Sequence, residues 1–261
     1  MKHIVNFSGG YCSFWAAHRV IAKHGADNVV LLFADVLIED ASLYAFNAKA
    51  SELLGVPITR ISKGLTPWQL FRSEGMIGSN RFPICSTKLK REMLDGWTKN
   101  HCLEYATTIY LGFDWTESHR LKIIREANPT WNWQAPMTEE PIWDKCKMQM
   151  EGYKLGLPKQ VLYEAGFPHN NCGGRCVRAG ISHWVHLLKV FPDRFKEWED
   201  EELSTQADFL ARGISSDWLS ILKDRRNGES KPMNLRTLRL RVEAGETFDR
   251  YDWGGCGCAG Q

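Results

Sequence analysis

The chain has 261 residues, 43% of them hydrophobic and 25% charged. That composition excludes disorder, collagen-like repeats and long coiled coils, and leaves enough chain for a substantial core. Lys and Arg number 33 against 31 Asp and Glu, a net charge of +2, so any nucleic-acid site must come from local clustering. No apolar run approaches the roughly 20 residues of a membrane span. No signal peptide is recognised at the start, and the expected location is cytoplasmic.

His3 to Ser8 is a short apolar run ending in Ser-Gly-Gly, and residues 11–24 then carry apolar side chains at helical spacing. Asn28 to Asp35 is a nearly continuous apolar run, as suits a parallel strand covered on both faces. A helix over 40–54 is stopped by Gly55 and Pro57, and a strand follows at Ile58 to Ile61. Another strand is expected at 104–112, with helices at about 86–99 and 116–127. This alternation predicts an α/β fold, a mainly parallel sheet with helices on both faces. Strand signals stop after about residue 135. Helices are expected at 139–156, 177–212, 215–226 and 233–244, with a Gly/Asn/Cys-rich turn at 166–176. The expected organisation is an α/β domain over 1–135 and a helical, cysteine-bearing region over 136–261. Eleven tryptophans imply a thick core or a stacking surface.

The loop Ser8-Gly9-Gly10-Tyr11-Cys12-Ser13 lies between the first strand and the first helix. Backbone N–H groups and the positive helix end there suit an anion, and two glycines permit close approach. It lacks the spacing and the Lys of a Walker loop and is not a dinucleotide fingerprint. Asp35 ends a strand on the side where α/β proteins bind ligands, or else caps the following helix. Glu117 and Arg120 are spaced as an i,i+3 pair.

Eight cysteines in a reducing compartment point to metal or catalysis before disulfides. Cys172-Gly-Gly-Arg-Cys176 and Cys256-Gly-Cys258 are glycine-rich pairs able to present four thiolates to zinc or to an iron–sulfur cluster. Cys102 and Cys146 read as buried free thiols, and Cys256 and Cys258 as an alternative mobile dithiol. His169 reads as a turn residue, and His183 and His186 as an ordinary helix face. Residues 223–241 hold Lys223, Arg225, Arg226, Lys231, Arg236, Arg239 and Arg241. They form either a phosphate-contacting patch for a nucleic-acid substrate or a solvated face balanced by the acidic run at 197–202.

Several segments resemble the PP-loop ATP pyrophosphatases, and within them the phosphoadenylyl-sulfate (PAPS) reductase-like branch. They are Ser-Gly-Gly-x-x-Ser at 8–13, Phe33-Ala34-Asp35 with Glu39, Cys85-Ser86-Thr87-Lys88-Leu89-Lys90, Gly112 to Arg120 (GFDWTESHR), and Leu162-Tyr163 onward to Cys176. The resemblance covers about residues 3–180. The Cys85 segment also looks like the ATP-using enzyme of DNA phosphorothioation. Two departures stand out. Tyr11-Cys12 replaces the Lys-Asp of many members, so that phosphate charge would be met by Lys88, Lys90 or Arg120, and the tail ends Gly-Cys-Gly-Cys in place of Glu-Cys-Gly-x-His.

The resemblance implies an adenine-nucleotide α-hydrolase-like fold and ATP or a related adenine nucleotide with Mg2+. Ser8, Gly9, Gly10, Tyr11, Cys12, Ser13, Asp35 and Gly112 would form its site. Lys88, Glu117 and Arg120 would be the catalytic set. The cysteines would hold a [4Fe–4S] cluster, with zinc as the alternative and Cys85 as a fifth candidate ligand. A sulfur donor or thiol reductant would be the partner. The expected chemistry is ATP-dependent adenylation and sulfur transfer, with PAPS or adenylyl-sulfate reduction to sulfite, or a catalytically silent regulatory module, as alternatives.

Overall fold

The structure is a computed structural model that describes residues 1–214, 219–224 and 229–255. Strand β1 (Lys2–Asn6) leads into helix α1 (Tyr11–His24), then β2 (Val29–Ala34), α2 (Ala41–Leu54) and β3 (Ile58–Ile61). Asp40 caps α2 by accepting from Ser42 N at 2.8 Å, and Gly55 ends it at φ +64°. Next come α3 (Pro67–Glu74), a π-helical turn at Ser86–Arg91, α4 (Glu92–His101) and β4 (Thr107–Leu111). Helix α5 (Ser118–Ala127) and β5 (Asn132–Gln134) complete the sheet segment. All five strands are parallel, in the order β3-β2-β1-β4-β5.

Alternation along β4 sets the layers. Tyr110 packs with Val5, Leu31 and the α1 residues Phe14 and Ala17, whereas Ile109 and Leu111 pack with Leu121 and Ile124 of α5. Helices therefore cover both faces, and the expected α/β class holds. The chain winds from β1 outward to β2 and β3, then crosses to β4 on the other side. The crevice at the carboxyl ends of β1 and β4 is the switch point where such sheets bind ligands.

The remainder holds α6 (Lys145–Lys154), α7 (Val161–Glu164), α8 (Ile181–Val190) and α9 (Pro192–Ala211). Strands β6 (Leu222–Asp224) and β7 (Lys231–Met233) and helix α10 (Leu235–Glu243) follow. The single helix expected over 177–212 is two, because Pro192 cannot donate to the preceding turn and opens a new helix at its first position. Strands do recur after residue 135. β6 and β7 pair antiparallel, burying Leu222 and Met233, where a helix over 215–226 was expected. Their period is too short to register in so small a ribbon, and Pro232 is tolerated because both strands are edges.

The boundary near 135 is crossed by a continuous apolar core. Trp68, Phe71 and Leu89 pack into one cluster with Leu162, Trp184, Phe195 and Leu235. Tryptophans 15, 68, 131, 133, 184 and 198 are buried, while Trp115 is exposed. Among the described residues no helix is long and apolar enough to cross a membrane.

Candidate active site

The Ser8–Ser13 loop occupies that switch point. Gly9 has φ +78°, a conformation costly for a residue with a Cβ, and a Cβ there would lie 2.8 Å from Asn47 Oδ1 and 2.9 Å from Leu43. Ser13 is buried. Its hydroxyl donates to Gly10 O at 2.8 Å and accepts from Ser8 Oγ at 3.2 Å, so the two serines tie the loop to the first turn of α1. Behind the loop, the fully buried Gln160 donates its amide Nε2–H to Gly9 O at 2.6 Å. Sequence reading gave no signal for Gln160 or Asn47, which come from distant segments. Gln160→Leu leaves a buried carbonyl without its donor. It is expected to cost about 1–3 kcal/mol of stability and to weaken any ligand held by the loop, as urea unfolding and ligand titration would show.

A cavity of about 140 Å³ opens from the loop. Ser8, Gly10, Cys12 and Gly112 border it, with Leu32, Phe33 and Leu94 forming an apolar side and Lys90, Arg120 and Lys145 supplying positive charge. Gly112 lets β4 run against α1, since a Cβ there would lie 2.7 Å from Ser13 Cα and 2.8 Å from Ser13 N. Arg120 pairs with Glu117 and stacks 4.4 Å from the Phe113 ring centroid. Glu117 thus orients Arg120, and both line the cavity. Asp114 joins them. It accepts from Thr116 N at 2.9 Å and lies 4.0 Å from Lys145 Nζ. Burial, and next the carboxylates of Asp114 and Glu117, push the Cys12 thiol well above the usual cysteine range and keep it protonated.

Three expected contacts lie elsewhere. Tyr11 turns into the core, edge-on to Phe46 at 5.1 Å and to Tyr153 at 5.8 Å. Asp35 is buried outside the cavity lining. It accepts from Leu37 N at 2.7 Å and Tyr44 Oη at 2.9 Å and pairs with Arg60 at 2.5 Å. It organises the turn after β2, while Asp40 is the helix cap. Lys88 pairs with Glu74 at 2.6 Å, and Lys90 takes the place in the cavity wall expected of Lys88. The reason is the π-helical turn, whose i→i+5 repeat brings Lys90, and not Lys88, onto the face of Cys85.

Cys85, Cys172 and Cys176 line a second, smaller cavity of about 20 Å³, walled by Val36, Ile38, Pro67 and Val177. That space suits one water-sized atom. Among the described residues no group of three or more His, Cys, Asp or Glu side chains is arranged to hold a metal ion. The three thiols are gathered, but a metal centre is not preformed. Cys256 and Cys258 lie outside the described residues. The chain leading to them is anchored, however. Gly254 bridges Ala179, and Gly180 N donates to Trp253 O at 3.0 Å, only a few residues beyond Cys176.

His169 lines the larger cavity. His183 donates Nε2–H to Gly174 O at 2.7 Å and His186 to Ala165 O at 2.7 Å, so both fasten α8 to the cysteine turn. Burial pushes His183 down to about 4, in keeping with that neutral donor role. Cys102 is half-buried, and Cys146 is exposed, not buried as expected.

The basic region is largely neutralised within the fold. Arg236 and Arg239 reach the buried Glu199 at 3.3 and 2.7 Å, and Arg241 pairs with Asp224 at 2.9 Å and with Glu246 at 2.5 Å. Those guanidinium groups hold the Glu199 carboxyl below its ordinary value although burial alone raises it. Among the described residues, only Glu199 of the acidic run at 197–202 pairs with these arginines, and it is buried, whereas Glu197 and Asp200 pair with Arg175 and Lys196, and Glu201 pairs with Arg72. Arg225 and Arg226 lie outside the described residues.

Fold and cavity together define a doubly wound α/β protein with an anion-ready loop at its switch point. The chain is similar to the solved structure of a phosphoadenylyl-sulfate (PAPS) reductase from Candida auris, a phosphate complex. The identity is 15% and the TM-score 0.44, over 65% of this chain and 80% of that one. That likeness brings no residue role with it. No family model matches the sequence, and no curated protein matches it.

Proposed function

We propose that this chain is a PP-loop enzyme that binds ATP or a related adenine nucleotide in the larger cavity and uses it for sulfur chemistry. One observation carries the reading. The Ser8–Ser13 loop sits at the switch point with Ser8 and Gly10 at the mouth of a cavity that has three cations and an apolar side. Backbone N–H groups at a helix start cradle phosphate, and cations fixed nearby stabilise the charge that develops on a leaving pyrophosphate.

In the reaction proposed, an acceptor oxygen attacks the α-phosphorus and pyrophosphate leaves. A sulfur nucleophile then attacks the acceptor carbon, and AMP departs. Ser8, Gly9, Gly10 and Ser13 hold the phosphate chain. Arg120, oriented by Glu117, and Lys90 neutralise it. Leu32, Phe33 and Leu94 face the base. Mg2+ would neutralise phosphate oxygens, with Asp114 as the carboxylate best placed to hold it.

Cys85, Cys172 and Cys176, with Cys256 or Cys258, are proposed as ligands of a single zinc ion, which would clamp the turn and tail together, since a space of about 20 Å³ does not hold an iron–sulfur cluster. Support comes from three thiols on one cavity and a tail anchored beside Cys176. That thiol cavity adjoins the nucleotide cavity through Lys90, and this favours reduction of an adenylyl-sulfate or PAPS to sulfite as the second reading.

The test begins with equilibrium binding of ATP, AMP and pyrophosphate to protein purified without oxygen, alongside its iron, sulfide and zinc content. ATP is expected to bind and pyrophosphate to compete with it. Arg120→Ala should weaken ATP binding about tenfold or more. Absence of ATP binding at millimolar concentration removes the nucleotide reading. Sulfite release from adenylyl-sulfate or PAPS, without pyrophosphate release from ATP, selects the second reading. Metal unchanged by Cys172→Ala removes that ligand.

A further inference from the structure

Lys90 is the one residue common to the linings of the nucleotide and thiol cavities among the described residues. Its partner is Glu39, whose side chain is only 1% exposed. One carboxylate oxygen of Glu39 accepts from Lys90 Nζ at 3.1 Å, and the other accepts from the backbone N–H of Cys172. Cys172 is one of only two non-glycine residues at positive φ among the described residues, at +55°. A residue with a Cβ holds that conformation at a cost and keeps it only when its surroundings over-determine it.

One neighbouring loop supplies several of those contacts. The segment 35–40, between β2 and α2, meets the cysteine turn at several points. Arg175 donates to Ile38 O at 3.0 Å, and Arg194 bridges Asp40, at 2.6 Å, and Gly173 O, at 3.2 Å. A Cβ on Gly173 would lie 3.0 Å from Ile38 O. Glu39 is the member of this set that also reaches the nucleotide cavity, through Lys90.

We propose that Glu39 is a positioning residue that couples the two cavities. It pins the Cys172 backbone from one oxygen and holds Lys90 on the shared wall from the other. An anion entering the nucleotide cavity draws on Lys90, and the buried carboxylate then leans harder on the Cys172 N–H. Occupation of one cavity therefore stiffens the thiol-bearing turn at the other. Because coupling free energies are reciprocal, locking that turn raises anion affinity by the same factor. The coupling rests on the nucleotide reading above, but the pinning of Cys172 does not.

Hydrogen exchange of the peptide carrying Cys172 reads the critical N–H directly, whatever the metal state. Without ligand, Glu39→Gln is expected to speed Cys172 amide exchange at least tenfold, and Glu39→Asp to restore part of the protection. Exchange in β1 should not change, which shows that the variants fold. Saturating ATP, with pyrophosphate as the second anion, should slow Cys172 exchange several-fold in the unaltered protein. It should not do so in Glu39→Gln or in Lys90→Met. Unchanged exchange in ligand-free Glu39→Gln overturns the pinning. ATP that binds, by dialysis, yet leaves Cys172 exchange unaltered overturns the coupling. ATP that fails to bind at all, while Glu39→Gln still frees Cys172, overturns the nucleotide reading and the coupling and leaves only the pinning.

Discussion

Gly112→Ala is expected to abolish nucleotide binding, with an affinity loss of about a hundredfold or more. The added Cβ would lie 2.7 Å from Ser13 Cα and 2.8 Å from Ser13 N. Both are backbone atoms in the first turn of α1, so no side-chain rotation relieves the contact. Helix and strand must separate, which costs about 1–3 kcal/mol as overpacking. The separation also displaces the loop, and an error of about 1 Å in positioning costs about a hundredfold. Gly96→Ala is the control. It lies inside α4 with nothing within 4 Å of its would-be Cβ, so it should raise stability by about 0.5–1 kcal/mol and leave binding alone. ATP titration of the two variants, with thermal melts, decides the matter. A Gly112→Ala protein that binds ATP normally would show that the loop does not depend on this close approach.

Gly180→Val is expected to release the C-terminal segment and, with it, any metal held by the cysteines. Gly180 is the cap of α8, and a Cβ there would overlap the Asp252 side chain and carbonyl and lie 2.7 Å from Gly254 N. The returning segment also satisfies the helix start. Asp252 O accepts from Ser182 N at 3.0 Å, and its Oδ2 accepts from Ile181 N at 3.2 Å. Trp253 packs against the His186 ring at 5.4 Å. Losing these caps costs about 1–2 kcal/mol, small beside the functional effect. Limited proteolysis should cut the variant before residue 252 while the parent resists, and bound metal should fall to a small fraction. A variant that keeps its metal after the tail is cut away would show that Cys256 and Cys258 are not ligands.

The contrast between Lys88 and Lys90 shows where sequence reading stops. Both stand in the same motif and both are cations that the sequence offers to a phosphate, with Lys88 placed in the catalytic set. The π-helical turn changes the repeat, and the cavity receives Lys90 instead. Asp35 ends its strand at the ligand-binding edge, as read, yet Arg60 and Tyr44 from the next two elements capture its carboxylate. Tyr11 sits inside the loop motif, but as the first residue of α1 its ring falls on the core face. Gln160 carries no local pattern that distinguishes it from a surface polar residue, and the Glu39 motif does not say what its carboxylate meets. Only the return of the chain buries them.

The sequence by itself determined the alternation of strands and helices, the anion-ready glycine loop and its place after the first strand. These follow from periodicity and backbone freedom, which act over a few residues. Tertiary structure alone decided the strand order, the narrow space left between Cys85, Cys172 and Cys176, and which carboxylates, Glu199, Asp224 and Glu246, meet Arg236, Arg239 and Arg241. It also decided which carboxylates and lysines face a cavity and which serve the frame. Such outcomes depend on contacts between residues far apart in the chain, where burial makes each charge find a partner and local spacing does not say which.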